Sequence, residues 1–172
     1  MKTLKYYAGI YRHFIATCFT EALTYRTSFV LIIMMDLFFY VANLSAISFL
    51  YDHLETIGPW SKYQLLFFTS FMLAVDNLHM TLISESFWML SLHIRTGELD
   101  YTILRPGNTL FSVFFRHFRP ATLINFPIAW ILLYYFAFKL QLSTLSLILL
   151  PLTIVLSFLL LAVLEILLST SM

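Results

Sequence analysis

Asp36, Asp76, His79 and Glu85 interrupt stretches that are otherwise apolar, and the amide Asn43 sits in the first of them. Asp36 and Asn43 are seven residues apart, so a helix puts them on one face. Asp76 and His79 share a face of a second helix, and Glu85 lies elsewhere on it. A charge at the centre of a bilayer costs about 2.5–3.5 kcal/mol on insertion scales, so such groups face a bundle interior or a wet cavity. Two chemistries follow. Asp36, Asn43, Asp76 and His79 line a substrate path or form a proton site, or they hydrogen-bond to hold the first two spans together. The structural use is the commoner one for membrane polar groups and is favoured. Glu85 lies roughly one to two turns from a span end and can reach the interface.

Other chemistries lack their residues. Metal-assisted hydrolysis on a helix uses a pair of histidines with a carboxylate between them, as in HExxH; no such pair occurs, and His53, His93 and His117 are expected in loops. An intramembrane hydrolase needs a paired serine and histidine or two membrane aspartates, and only Asp36 and Asp76 could meet that need. Four glycines in the whole chain leave no Gly-rich phosphate loop, so any ATP is bound by another subunit. The single cysteine, Cys18, makes neither an internal disulfide nor a metal cluster. A net charge of +1 gives no footprint for nucleic acid. The expectation is a chain that performs no covalent chemistry and holds no metal or cofactor.

The elements that carry these residues are long and apolar. The 172 residues are 60% hydrophobic and 11% charged, with a mean hydropathy of +0.86, against about 25% charged in a soluble domain. Between Arg26 and Asp52 the only charge is Asp36, and between Lys62 and Arg95 only Asp76 and Glu85. Residues 120–138 and 140–164 carry none. Spanning the hydrocarbon core takes about 20 helical residues. The runs are too long, and too apolar on every side, for barrel strands. They predict an all-α membrane protein with spans at 27–50, 64–90, 121–138 and 145–168 in a single transmembrane domain. Ahead of them, residues 3–24 place Leu4, Tyr7, Tyr11, Phe14, Ile15, Cys18 and Ala22 on one face, with Lys5, Arg12, His13 and Glu21 mostly opposite. That is an amphipathic helix suited to the membrane interface. The first 24 residues lack the apolar core of a cleaved signal peptide, so the first span is expected to act as its own insertion signal.

Basic residues set the orientation. Lys2, Lys5, Arg12 and Arg26 precede the first span, and Arg95, Arg105, Arg116 and Arg119 lie between the second and third; the opposite loops hold only Lys62 and Lys139. Both termini and the 91–120 segment are therefore expected in the cytoplasm, with Trp60, Tyr63 and Trp88 as interfacial anchors. The 91–120 segment is longer than a hairpin needs. Gly97 breaks the helix leaving the second span, Glu98 and Asp100 suit the first turn of a short new helix, and Arg105-Pro106-Gly107 ends it. Phe111, Phe114, Phe115 and Phe118 then predict a second, membrane-surface helix. A short exposed helix held between two anchored ones makes a rigid knob for a cytoplasmic partner.

The stretch IRTGELDYTILRP (94–106) resembles the cytoplasmic-loop motif of the ABC-type-2 transporter permeases, bacterial membrane subunits that work with a separate ATPase. Arg95, Gly97, Leu99, Asp100, Leu104, Arg105 and Pro106 carry the likeness, and Leu110 and Phe111 are similar to the hydrophobic residues that follow it. The resemblance implies a permease subunit of the cytoplasmic (inner) membrane, paired with itself or a sister permease. Arg95, Gly97, Glu98, Leu99, Asp100, Leu104, Arg105 and Pro106 would dock on ATP-binding-cassette ATPase subunits. Such permeases usually have six spans, so the four found here are expected to be a shortened set. A four-helix membrane scaffold that does not transport is the alternative.

Overall fold

Alternation of apolar runs with Gly, Pro and charged breaks produces eight α-helices among the described residues, which are 2–54, 58–104 and 107–169 of the computed structural model. They are α1 (Lys2–Thr24), α2 (Arg26–His53), α3 (Lys62–His79), α4 (Glu85–Thr96), α5 (Glu98–Ile103), α6 (Thr109–Phe114), α7 (Pro120–Lys139) and α8 (Thr144–Ser169). A π-helical turn, Met80–Ser84, joins α3 to α4 without a break, giving one long rod. No strand occurs among the described residues. Four helices are long and apolar enough to cross a membrane: α2, the α3–α4 rod, α7 and α8. The all-α membrane fold read from the sequence is what the chain adopts.

Local chemistry sets the helix ends. Ser61 caps α3: its hydroxyl accepts from Gln64 N, while Gln64 Oε1 accepts from Ser61 N, a reciprocal capping box. Pro120 occupies the first turn of α7, where its missing N–H costs nothing. Pro127 and Pro151 lie inside α7 and α8, which continue through them. Gly97 ends α4 at φ 74°, ψ 8°, left-handed backbone that glycine adopts without penalty, so α5 starts one residue later in a new direction.

The α3–α4 rod is the hub. It packs along α7, and α2 and α8 flank the pair. Ser70, Ala74, Ala129 and Ala137 are almost wholly buried there, and their small side chains let the backbones approach, as membrane interfaces require. Tyr40, Leu73, Val75, Leu133, Leu150 and Ile154 fill the core around them. A second cluster of Ile83, Val113, Phe114, Phe158 and Ala162 joins α6 to the rod and α8. Helix α2 buries only Tyr40 fully and presents Met34, Met35, Phe38 and Val41 outward. Lipid or another subunit must cover such a face.

The segment after α6 departs from the sequence expectation. The spacing predicts a surface helix through Phe118, but α6 stops at Phe114, and the chain bends at Phe115 and Arg116 before it reaches Arg119 in extended conformation. Phe118 is buried and stacked on Phe19 of α1 at 6.0 Å, and His117 N donates to Ser86 Oγ (3.2 Å). These tertiary contacts outweigh the helical spacing of the phenylalanines. His53, the last residue of α2, and His93, within α4, lie in helices and not in loops.

Candidate functional site

Two places gather the residues singled out by sequence, one outside the spans and one within them. The outer one is the segment from α4 to α7. Glu98, first residue of α5, is held by Arg116 Nη1 (3.2 Å) and by His93 Nε2 (3.5 Å). Leu99 turns inward against the cluster containing Ile83 and Phe114. The opposite side of α5 is open: Asp100 is exposed, Tyr101 is 71% exposed and Leu104, just past its end, is 81% exposed. Glu98 and Leu99 thus anchor the short helix, and Asp100, Tyr101 and Leu104 form its free face. Arg95 is exposed at the end of α4, beside Gly97. Arg105 and Pro106 lie outside the described residues.

Helix α1 grips this segment. Tyr7 Oη accepts from Asn108 N (3.1 Å), and the Tyr7 and Tyr11 rings meet Phe111 and Phe115 edge-on at 5.0 and 6.2 Å. Cys18 donates to Arg116 O (3.6 Å) and accepts from Phe118 N (3.4 Å). The apolar face expected from spacing, Tyr7 to Ala22, is therefore the face α1 turns towards the protein. His117 sits beneath, its ring 5.4 Å from His93 and its Nε2 without a partner among the described residues. Burial, then the Arg116 guanidinium and His93, hold its pKa below the usual 6.5, while Glu85 and Glu21 oppose the shift. Neutral His117 is the form that suits the folded segment.

Within the spans, Asp36 and Asp76 meet at a cavity of about 380 Å³ bounded by α2, α3 and α7. Met35, Phe39, Tyr40, Asn77, Met80, Arg119 and Thr122 complete its lining. Asn125 Nδ2 donates to Asp36 Oδ2 and to Ile33 O, both at 3.3 Å, tying α7 to α2. Asn77 Nδ2 donates to Tyr40 Oη (2.8 Å) and Thr122 O (3.1 Å), tying α3 to both. Thr81, in the π turn, donates to Thr122 Oγ1 (2.9 Å), and its carbonyl accepts from Arg119 N (3.1 Å).

The remaining candidates go elsewhere. Asn43 donates to Phe39 O of its own helix (2.8 Å). His79 makes its hydrogen bond to Glu165 of α8, at 2.7 Å, and none to Asp76 among the described residues. Asn77, Arg119 and Asn125 belong to this network and were not singled out by sequence. Two asparagines in charge-poor runs were the available signal for Asn77 and Asn125, since a buried amide in a span demands partners. Arg119, adjoining Pro120, resembles an interfacial anchor until the fold turns it inward. Among the described residues no three His, Cys, Asp or Glu side chains converge to hold a metal ion.

Compared with known proteins, residues 37–172 match a family model described as "ABC-2 family transporter protein". That range covers α2 from Leu37 onward, the α3–α4 rod, the α5–α6 segment, α7 and α8. No curated protein and no solved structure matches the chain.

Proposed function

The chain belongs to the ABC-2 transporter family, and from that premise we propose that it is a permease subunit driven by separate ATP-binding-cassette ATPases that dock on α5. The supporting observation is the division of labour within α5. Glu98 and Leu99 fix it to the body through Arg116, His93 and the Ile83–Phe114 cluster, while Asp100, Tyr101 and Leu104 stand free. A helix fixed on one side and bare on the other can pass a push from a partner to the spans. Because α4 is continuous with α3 through the π turn, force on α5 reaches α7 and α2 through the same rod.

In this reading the α4–α7 segment and both termini lie in the cytoplasm of a bacterium, beneath its inner membrane. The basic residues around 2–26 and 95–119 support that side. ATP is hydrolysed by the partner, and this chain does no covalent chemistry. The apolar face of α2 is covered by lipid or by a second permease, identical or sister. In the sequence, Arg95 precedes the docking helix and Arg105 follows it.

Capture of the ATPase by the tagged, full-length permease in mild detergent tests the docking. Asp100→Lys combined with Tyr101→Asp abolishes capture if α5 is the docking element, whereas Asp52→Asn, on the opposite loop, leaves it intact. Undiminished capture by the double variant overturns the assignment.

A further inference from the structure

The cavity among α2, α3 and α7 holds polar groups that ATPase docking leaves unused, and they divide by role. Three are acceptors. Asp76 accepts no hydrogen bond from the described residues, and Asp36 accepts only that of Asn125. The third is Asn77 Oδ1: the residue is 2% exposed, lines the cavity, and leaves this oxygen without a partner among the described residues. Its orientation is fixed, because turning the amide over would set its oxygen against the Thr122 carbonyl that Nδ2 now satisfies.

Two groups are donors. The Arg119 guanidinium lies 4.0 Å from Met80 Sδ and makes no ion pair with Asp36 or Asp76 among the described residues. The Tyr40 hydroxyl accepts from Asn77 and keeps its own proton to give. Two carboxylates and a guanidinium line one cavity without closing on each other, which leaves room between them for a ligand carrying both signs. The space would hold roughly a dozen waters at ~30 Å³ each. Met35 and Phe39 form a lining edge that is apolar and exposed.

Complementarity narrows the ligand. A lone anion would face two carboxylates, and a bare cation would face Arg119. A quaternary ammonium has no N–H for the three acceptors. A primary ammonium has three, and a phosphate next to it would meet Arg119 and Tyr40. Apolar tails would lie along Met35 and Phe39. We propose that this cavity binds the headgroup of a zwitterionic lipid in which a primary ammonium is joined to a phosphate diester. The site requires neither the ATPase nor transport, so its failure and that of the docking assignment are separable.

Native mass spectrometry of the full chain, extracted in mild detergent and titrated with lipid, tests the proposal. Phosphatidylethanolamine should be retained roughly tenfold better than phosphatidylglycerol or phosphatidylcholine, the loss expected for one charge-assisted hydrogen-bonding group. Asp76→Asn should remove that preference, Arg119→Gln should lower the retention of all three lipids, which share the phosphate diester, and Asn43→Ala should leave both unchanged. Asp76 has no hydrogen bond to lose among the described residues, so its variant reads binding without disturbing the helix contacts; Tyr40→Phe, which removes only the hydroxyl, gives a second reading. Equal retention of the three lipids, or an undiminished preference in Asp76→Asn, overturns the proposal. So does displacement by free phosphoethanolamine at the lipid's own concentration, which would give the site to a soluble zwitterion.

Discussion

His79 and Glu165 show how one polar pair can fasten two spans. At 2.7 Å the imidazole and carboxylate join α3 to α8, with His79 nearly buried and Glu165 more open. Breaking a buried pair in a water-soluble protein costs about 3–5 kcal/mol, but polar contacts between membrane helices average about 0.6 and reach about 1.7, because the separated helices find other partners in the bilayer. The second scale applies here. Glu165→Ala is expected to destabilise by about 0.6–1.7 kcal/mol in an unfolding titration from mixed micelles, and Glu165→Gln, which can still hydrogen-bond, by less. A loss above 3 kcal/mol would mean the pair behaves as in a soluble core. The same residues show what sequence could and could not tell. Asp36, Asp76 and His79 were legible as polar residues in apolar runs, and holding the first two spans to each other was the favoured use. Asp36 instead meets α7, His79 meets α8, and the Asp76 carboxylate has no hydrogen-bond partner among the described residues. Their partners were not, since Asn125 and Glu165 lie 89 and 86 residues away from Asp36 and His79. Helical spacing describes one helix at a time.

At the scale of elements, the α4–α7 segment is a hinged assembly whose angle Gly97 sets. A side chain there must take φ 74°, which costs about 1 kcal/mol, even though nothing crowds the position. Gly97→Ala is expected to weaken ATPase capture by redirecting α5, whereas Gly9→Ala inside α1 should raise thermal stability by about 0.5–1 kcal/mol. Acid should loosen the same segment. His117 has a folded pKa below the unfolded value of 6.5, so the unfolded state binds the extra proton first. Its contribution is complete above pH 6.5 and is lost as pH falls from 6.5 towards the lowered value. His93, Arg116, Glu85, Glu21 and Glu98 surround it. Amide hydrogen exchange across 107–119 should quicken between pH 7.5 and 5.5 after correction for intrinsic rates, and His117→Asn should flatten that response. The break at Gly97 and the short helix after it were legible in the GELDYTIL stretch. The end of α6 was not, because phenylalanine spacing carries no information about the α1 face that draws Phe118 out of line.

For the whole molecule, four apolar helices were legible because a bilayer forbids charge over a fixed length, a constraint that needs no knowledge of tertiary contacts. How they cluster was not legible: α2, α7 and α8 are apolar nearly all round, so no stripe marks which sides meet. The arrangement makes a topological prediction. In a Cys18→Ser background, Asp52→Cys and Leu140→Cys should react with a membrane-impermeant maleimide in intact cells, and Gly107→Cys only after permeabilisation. The reverse pattern would place the α4–α7 segment outside and remove the ATPase from reach.

The grip of α1 on the α4–α7 segment also has a consequence for biogenesis. Among the described residues, three hydrogen bonds join positions 98 to 101 apart: Cys18 with Arg116, Cys18 with Phe118, and Tyr7 with Asn108. Helix α1 leaves the ribosome before any of its partners exist, and at about 5–20 residues per second the wait lasts roughly 5 to 20 s. Throughout that interval its aromatic face has no protein surface to cover it. The lipid interface is the natural place for that face to wait, which makes amphipathicity in α1 as much a demand of synthesis as of the finished fold.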